Sequence, residues 1–83
     1  MSNYGRGYDT QFIRRVEEAD QHPMVLELAN TCIDYEVAVV DVADLFGVSR
    51  ATVYNWMTGK TVPRPHHLKE MPGIITRLRK RRK

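Results

Sequence analysis

The sequence has little with which to cross-link itself or enter a bilayer. Its 83 residues include one cysteine, so no internal disulfide forms, and this usage points to a reducing cytoplasm. No apolar run approaches the ~20 residues of a membrane-spanning helix, and no signal-peptide apolar segment is expected at the N-terminus. Aromatics make up only 8% of the chain, with a single tryptophan, Trp56. His22, His66 and His67 have no metal-ligand spacing with Cys32. No nucleophile stands in a pattern with a base and an orienting acid, so an enzyme is not expected, and neither is a cofactor. Asp41 and Asp44 look like paired carboxylates but are spaced as outward residues of a helix.

What is present is an ordinary soluble composition, 42% hydrophobic and 28% charged, long enough for one domain with one modest core. The charge is unevenly spread. Residues 1–44 carry nine acidic and three basic side chains, while residues 45–83 carry one acidic side chain, Glu70, and ten basic ones. A front half at −6 and a back half at +9 suggest that the back meets a polyanion, although a solvated surface with a basic tail gives the same numbers.

Periodicity predicts an all-α chain. Residues 1–9, rich in Gly and polar groups, read as a flexible arm. Phe12, Ile13, Val16 and Ala19 fall on one face of a helix over 10–19, which Asp9 or Thr10 can cap. A second helix over 23–36 carries Val25, Leu28, Ala29, Cys32 and Ile33 as a buried stripe, with Asp20 as its expected N-cap and Pro23 in its first turn. Cys32 on that stripe reads as a core residue rather than a nucleophile. The run "VAVVDVADLFG" has strand propensity, but Val39, Val42, Ala43 and Phe46 repeat at i, i+3, i+4 and i+7, which predicts a helix over 39–46. Ser49 caps a fourth helix over 50–58 that turns Val53 and Trp56 inward. After the loop "GKTVPRP", a short helix over 66–71 points Leu68 and Met71 inward and leaves His66 and His67 as partial caps or surface residues. Pro72-Gly73 is expected to break it, and "IITRLRKRRK" to form a last helix fraying into a basic tail. The expected architecture is a compact five- to six-helix bundle over 10–78, followed by a tail at 79–83.

Two short helices joined by a tight, Gly-containing turn form a helix-turn-helix. Ala43 is small where the helices at 39–46 and 50–58 cross, Gly47 permits a positive φ, and Val48 plugs the turn. With Val53 and Trp56 inward, Arg50, Ala51, Tyr54, Asn55 and Thr58 face outward. Arg and Asn can make bidentate contacts with guanine and adenine edges.

These residues resemble the Cro/lambda-repressor-type helix-turn-helix family of phage and bacterial regulators. The likeness covers about residues 37–71. Val42, Ala43, Phe46, Gly47, Val48, Val53 and Trp56 stand at the family's structural positions, and Gly59, Pro63, Leu68 and Met71 match its downstream spacing. The resemblance implies a five-helix DNA-binding domain with the fourth helix in the major groove, acting as a dimer on a palindromic operator. Ala38 and Val39 depart from it where the family has a Ser/Thr cap and a phosphate-binding Gln, and the acidic first two helices do not follow its pattern.

The expected base contacts are Arg50, Ala51, Tyr54 and Asn55. The expected phosphate contacts are Ser49, Thr52, Thr58, Lys60, Arg64 and the tail residues Arg79, Lys80, Arg81, Arg82 and Lys83. Ile74, Ile75 and Leu78 form an apolar face that either closes the chain's own core or packs on a second copy as a homodimer. A sequence-specific regulator of double-stranded DNA is the first reading. The second is an architectural or interaction protein of the same fold: an excisionase-like recombination factor, a terminase small subunit, an antitoxin, or a factor that binds the host RNA polymerase.

Overall fold

The valine-rich run is helical. In the computed structural model, which describes residues 10–81, Val39–Phe46 forms a helix that buries Val39, Val42, Ala43 and Phe46 and leaves Val40 at the surface. β-Branched residues disfavour a helix only slightly, whereas burial of a stripe at helical spacing is worth about 1.5–3 kcal/mol per large side chain. Spacing therefore outweighs propensity. Five helices occur among the described residues, and no strand: α1 (Thr10–Glu18), α2 (Pro23–Asp34), α3 (Val39–Phe46), α4 (Arg50–Met57) and α5 (Pro65–Arg81). The arm at 1–9, including the Asp9 cap, lies outside the described residues, as do Arg82, Lys83 and the side chain of Arg81.

Three chain reversals share one device. Gly47 leaves α3 with φ 73°, while Val48 N donates to Ala43 O (3.0 Å) and Gly47 N to Asp44 O (3.2 Å). Gly59 leaves α4 with φ 80°, while Lys60 N donates to Asn55 O (2.9 Å) and Gly59 N to Trp56 O (3.1 Å). Both are Schellman closures, in which a left-handed residue turns two amides back onto the last carbonyls of the helix. The same closure ends α2, with Val37 N donating to Cys32 O (2.9 Å), but its left-handed residue is Glu36, at φ 55°. A side chain in that conformation costs about 1–2 kcal/mol, a cost glycine avoids.

Two expectations about helix ends and breaks are corrected. The N-cap of α2 is His22, whose Nδ1 accepts a hydrogen bond from Met24 N at 3.0 Å; Asp20 does not cap it. Pro23 explains this: with its fixed φ and no N–H it occupies the first helical position, so the cap falls on the residue before it. The second correction concerns Pro72-Gly73, which does not break the chain. Residues 65–81 form one helix with Pro72 inside it, and the helices expected on either side of the break are one. Pro72 and Gly73 are exposed, while Met71, Ile74, Ile75 and Leu78 continue one buried stripe in phase across them. Burying that stripe outweighs the ~3 kcal/mol that an internal proline costs.

The core follows from these stripes. α5 lies along α2, burying Ile74, Ile75 and Leu78 against Leu28, Ala29 and Cys32 within one cluster. α3 packs on α4, and both reach the start of α5 through a ring cluster. Phe46 meets Trp56 edge-on at 5.3 Å, and the His67 ring sits 5.9 Å from Phe46 and 5.2 Å from Trp56. His67 is therefore not a surface residue or a cap; its side chain is only 12% exposed. It stands four residues before Met71, on the α5 stripe. α1 covers the remaining side, with Val16 buried and Phe12 and Ile13 packed against the core.

Candidate nucleic-acid interface

The face around α4 is set by its two ends and its phase. At its start, Ser49 Oγ accepts from Thr52 N at 3.1 Å and lies 3.0 Å from the Thr52 hydroxyl, which fixes where the first turn begins. At its end, the Gly59 closure stops the helix one residue short of the expected 58. Val53, Trp56 and Met57 are buried. Arg50 and Ala51 are consequently exposed, and Asn55 is half-exposed. The start of α3 is less well held, because its N-cap is Ala38, which has no side-chain acceptor.

The remaining residues expected here divide into two groups. Lys60 and Arg64 are exposed on the loop that follows α4, and among the described residues neither has a carboxylate partner, nor does Arg50. Thr52, Asn55, Thr61, Arg64 and His67 border a cleft of about 390 Å³ between α4 and this loop. Arg64 of the loop and Thr52 and Asn55 of α4 thus share one cleft. Tyr54 is half-buried, its ring edge-on to Phe12 of α1 at 5.3 Å and 89°, so part of its outward face is taken up by packing. The Thr58 hydroxyl donates to Tyr54 O at 2.8 Å, which leaves it acceptor capacity alone.

Arg79 and Lys80 stand elsewhere. They are the helical end of α5, not part of a frayed tail. Arg79 Nη2 lies 3.5 Å from Glu27 Oε2 and 3.3 Å from Thr31 Oγ1, both on α2. Between His67, which touches Trp56 of α4, and Arg79 the helix rises about 18 Å. The two basic sets are thus at different ends of α5. Ile74, Ile75 and Leu78 are at most 7% exposed within the single chain, so this face closes the chain's own core, one of its two expected roles.

Sequence reasoning missed the contact of α1 with α4. Gln21 Nε2, in the link after α1, donates to Val16 O (3.0 Å) and to Met57 O (2.8 Å), and a Cβ on Gly59 would stand 3.3 Å from that of Ala19. The only advance signal was Phe12 on the inward face of α1, which does not say which partner it meets. No group of three or more His, Cys, Asp or Glu among the described residues is placed to hold a metal ion, and no described helix is long and apolar enough to cross a membrane. Compared with protein-family models, curated proteins and solved structures, the chain finds no match.

Proposed function

We propose that the protein is a sequence-specific regulator of transcription that binds double-stranded DNA, of the small phage-repressor kind. In this reading α3, the turn at 47–49 and α4 form a helix-turn-helix, and α4 enters the major groove. One observation carries it: α4 is fixed at both ends and in rotation, and the side chains that this leaves outward are Arg50, Ala51 and Asn55. A helix held so firmly can present a donor-acceptor pattern to base edges, with Arg50 suited to guanine and Asn55 to adenine. Tyr54 adds the hydroxyl end of a ring already braced by Phe12. Ser49, Thr52, Lys60 and Arg64 border the same face and suit backbone phosphates.

Selection of bound sequences from random duplex DNA tests the proposal. A defined motif supports it, and a random pool overturns it in favour of an interaction role. Burial of Ile74, Ile75 and Leu78 in the monomer favours a second form of the reading, a recombination or architectural factor that binds as single copies. A palindromic motif supports the dimeric regulator, and direct repeats support the single-copy binder.

A further inference from the structure

α1 has no part in the proposed reading so far, yet it lies against the helix that carries it. Three contacts place it. Phe12 meets Tyr54 at 5.3 Å, Gln21 holds Met57 O at 2.8 Å, and Ala19 abuts the Gly59 turn. Only Phe12 makes its contact from within α1; Ala19 and Gln21 belong to the link that follows, so α1 meets α4 at Tyr54 and the link closes over the end of α4. The rotation of α1 then decides which of its residues border the outer face of α4. At 100° per residue, Val16 and Ile13 stand about 40° and 100° to one side of Phe12, and Arg15 and Gln11 about 60° and 100° to the other. Val16 is buried, and Ile13 packs on the core. The opposite side, with Gln11 and Arg15 exposed, therefore flanks Tyr54 on the solvent face. Arg14 points about 200° away from Phe12, off the back of the helix.

We propose that α1 and α4 form one composite DNA-contact surface, in which Arg15 holds a backbone phosphate of the strand beside Tyr54 and Gln11 adds a hydrogen-bonding edge next to it. The proposal rests on the DNA-binding reading above. No described carboxylate pairs with Arg15, so its guanidinium is free for a phosphate. Glu18 stands on the same edge one turn further along, which confines the contact to the stretch from Gln11 to Arg15. The chain thereby contacts its duplex beyond the width of one recognition helix.

Arg14 supplies the internal control. Arg14→Ala and Arg15→Ala remove the same charge from neighbouring exposed positions, so net charge alone predicts equal effects. A direct contact instead predicts that Arg15→Ala weakens binding of the selected duplex about tenfold, as expected for one charged hydrogen bond, while Arg14→Ala changes it less than about twofold. Arg15→Ala should also flatten the slope of log affinity against log salt by about 0.9, one phosphate's worth. Binding is measured by fluorescence anisotropy on the full chain, with thermal melts showing that both variants stay folded. Glu18→Gln is expected to tighten binding. If Arg14→Ala and Arg15→Ala behave alike while Arg50→Ala still loses sequence discrimination, the composite surface is wrong and the α4 reading stands. A full chain that binds no duplex overturns both.

Discussion

Replacing Trp56 with alanine probes the packing that fixes α4. The indole is 3% exposed, edge-on to Phe46 at 5.3 Å and tilted against His67 at 5.2 Å. Truncating a buried tryptophan costs about 3–5 kcal/mol, and the two ring contacts place this site in the upper part of that range. A domain of this size has a total stability of roughly 4–12 kcal/mol at 0.05–0.15 kcal/mol per residue. Trp56→Ala should therefore consume between about a third and the whole of that margin and lower the urea midpoint accordingly. Trp56 is the only tryptophan, so the wild type can be followed by its fluorescence, but the variant must be followed by circular dichroism at 222 nm in urea. Trp56→Phe keeps part of the ring contact and should lose about half as much. A Trp56→Ala protein that unfolds within about 1 kcal/mol of wild type would falsify the burial of this face, and with it the phase that turns Arg50 and Asn55 outward.

Further substitutions test the same frame. Glu36→Gly should stabilise by about 0.5–1 kcal/mol, since it relieves a left-handed side chain at the end of α2; a lower urea midpoint would refute that account. Ser49→Ala should lose about 1 kcal/mol, because it removes the acceptor for Thr52 N; an unchanged midpoint would mean water replaces the cap at no cost. Pro72→Ala should raise stability by about 1–3 kcal/mol by restoring an amide inside α5, and a loss instead would show that the proline shapes the α2–α5 packing. Arg50→Ala and Asn55→Ala should each cost about 1–3 kcal/mol on a selected duplex and relax preference at one base pair; full discrimination in both would end the base-reading assignment.

How far the sequence could be read depended on whether local chemistry or tertiary contact decided each feature. α3 was legible because its four inward positions repeat at helical spacing, and the Gly47 and Ser49 boundaries of α4 were legible because each residue type suits its conformation. Glu36 was not legible, since nothing local marks a glutamate for the left-handed region; the helix end is set by α2 packing and the chain tolerates the strain. Pro72-Gly73 misled because breaker residues act locally, whereas the stripe from Met71 to Leu78 acts across the whole α2–α5 contact. His67 was obscured by its neighbour: two adjacent histidines read as polar surface, yet only His67 shares the phase of Met71. The α1–α4 contact could not be read at all, because the sequence shows that Phe12 faces inward but not what it faces.

The charge asymmetry of the sequence also changes meaning once folded. The basic residues expected to contact DNA divide between two ends of α5. Arg50, Lys60 and Arg64 belong to the α4 end, while Arg79 folds back onto Glu27 of the acidic α2, about 18 Å further along α5. Part of the positive field at that far end is answered by α2, so net charge overstates what it offers a polyanion. At the α4 end the cations have no described carboxylate partner, and their backbone is held by Schellman closures, a serine cap and the Trp56 cluster. Electrostatic attraction can bring a duplex to either end, because it depends on charge alone. Discrimination between sequences requires side chains held in fixed register against base edges, and α4 is where charge, exposure and fixed register coincide. The proposed function therefore rests on the packing beneath α4 more than on the sum of lysines and arginines.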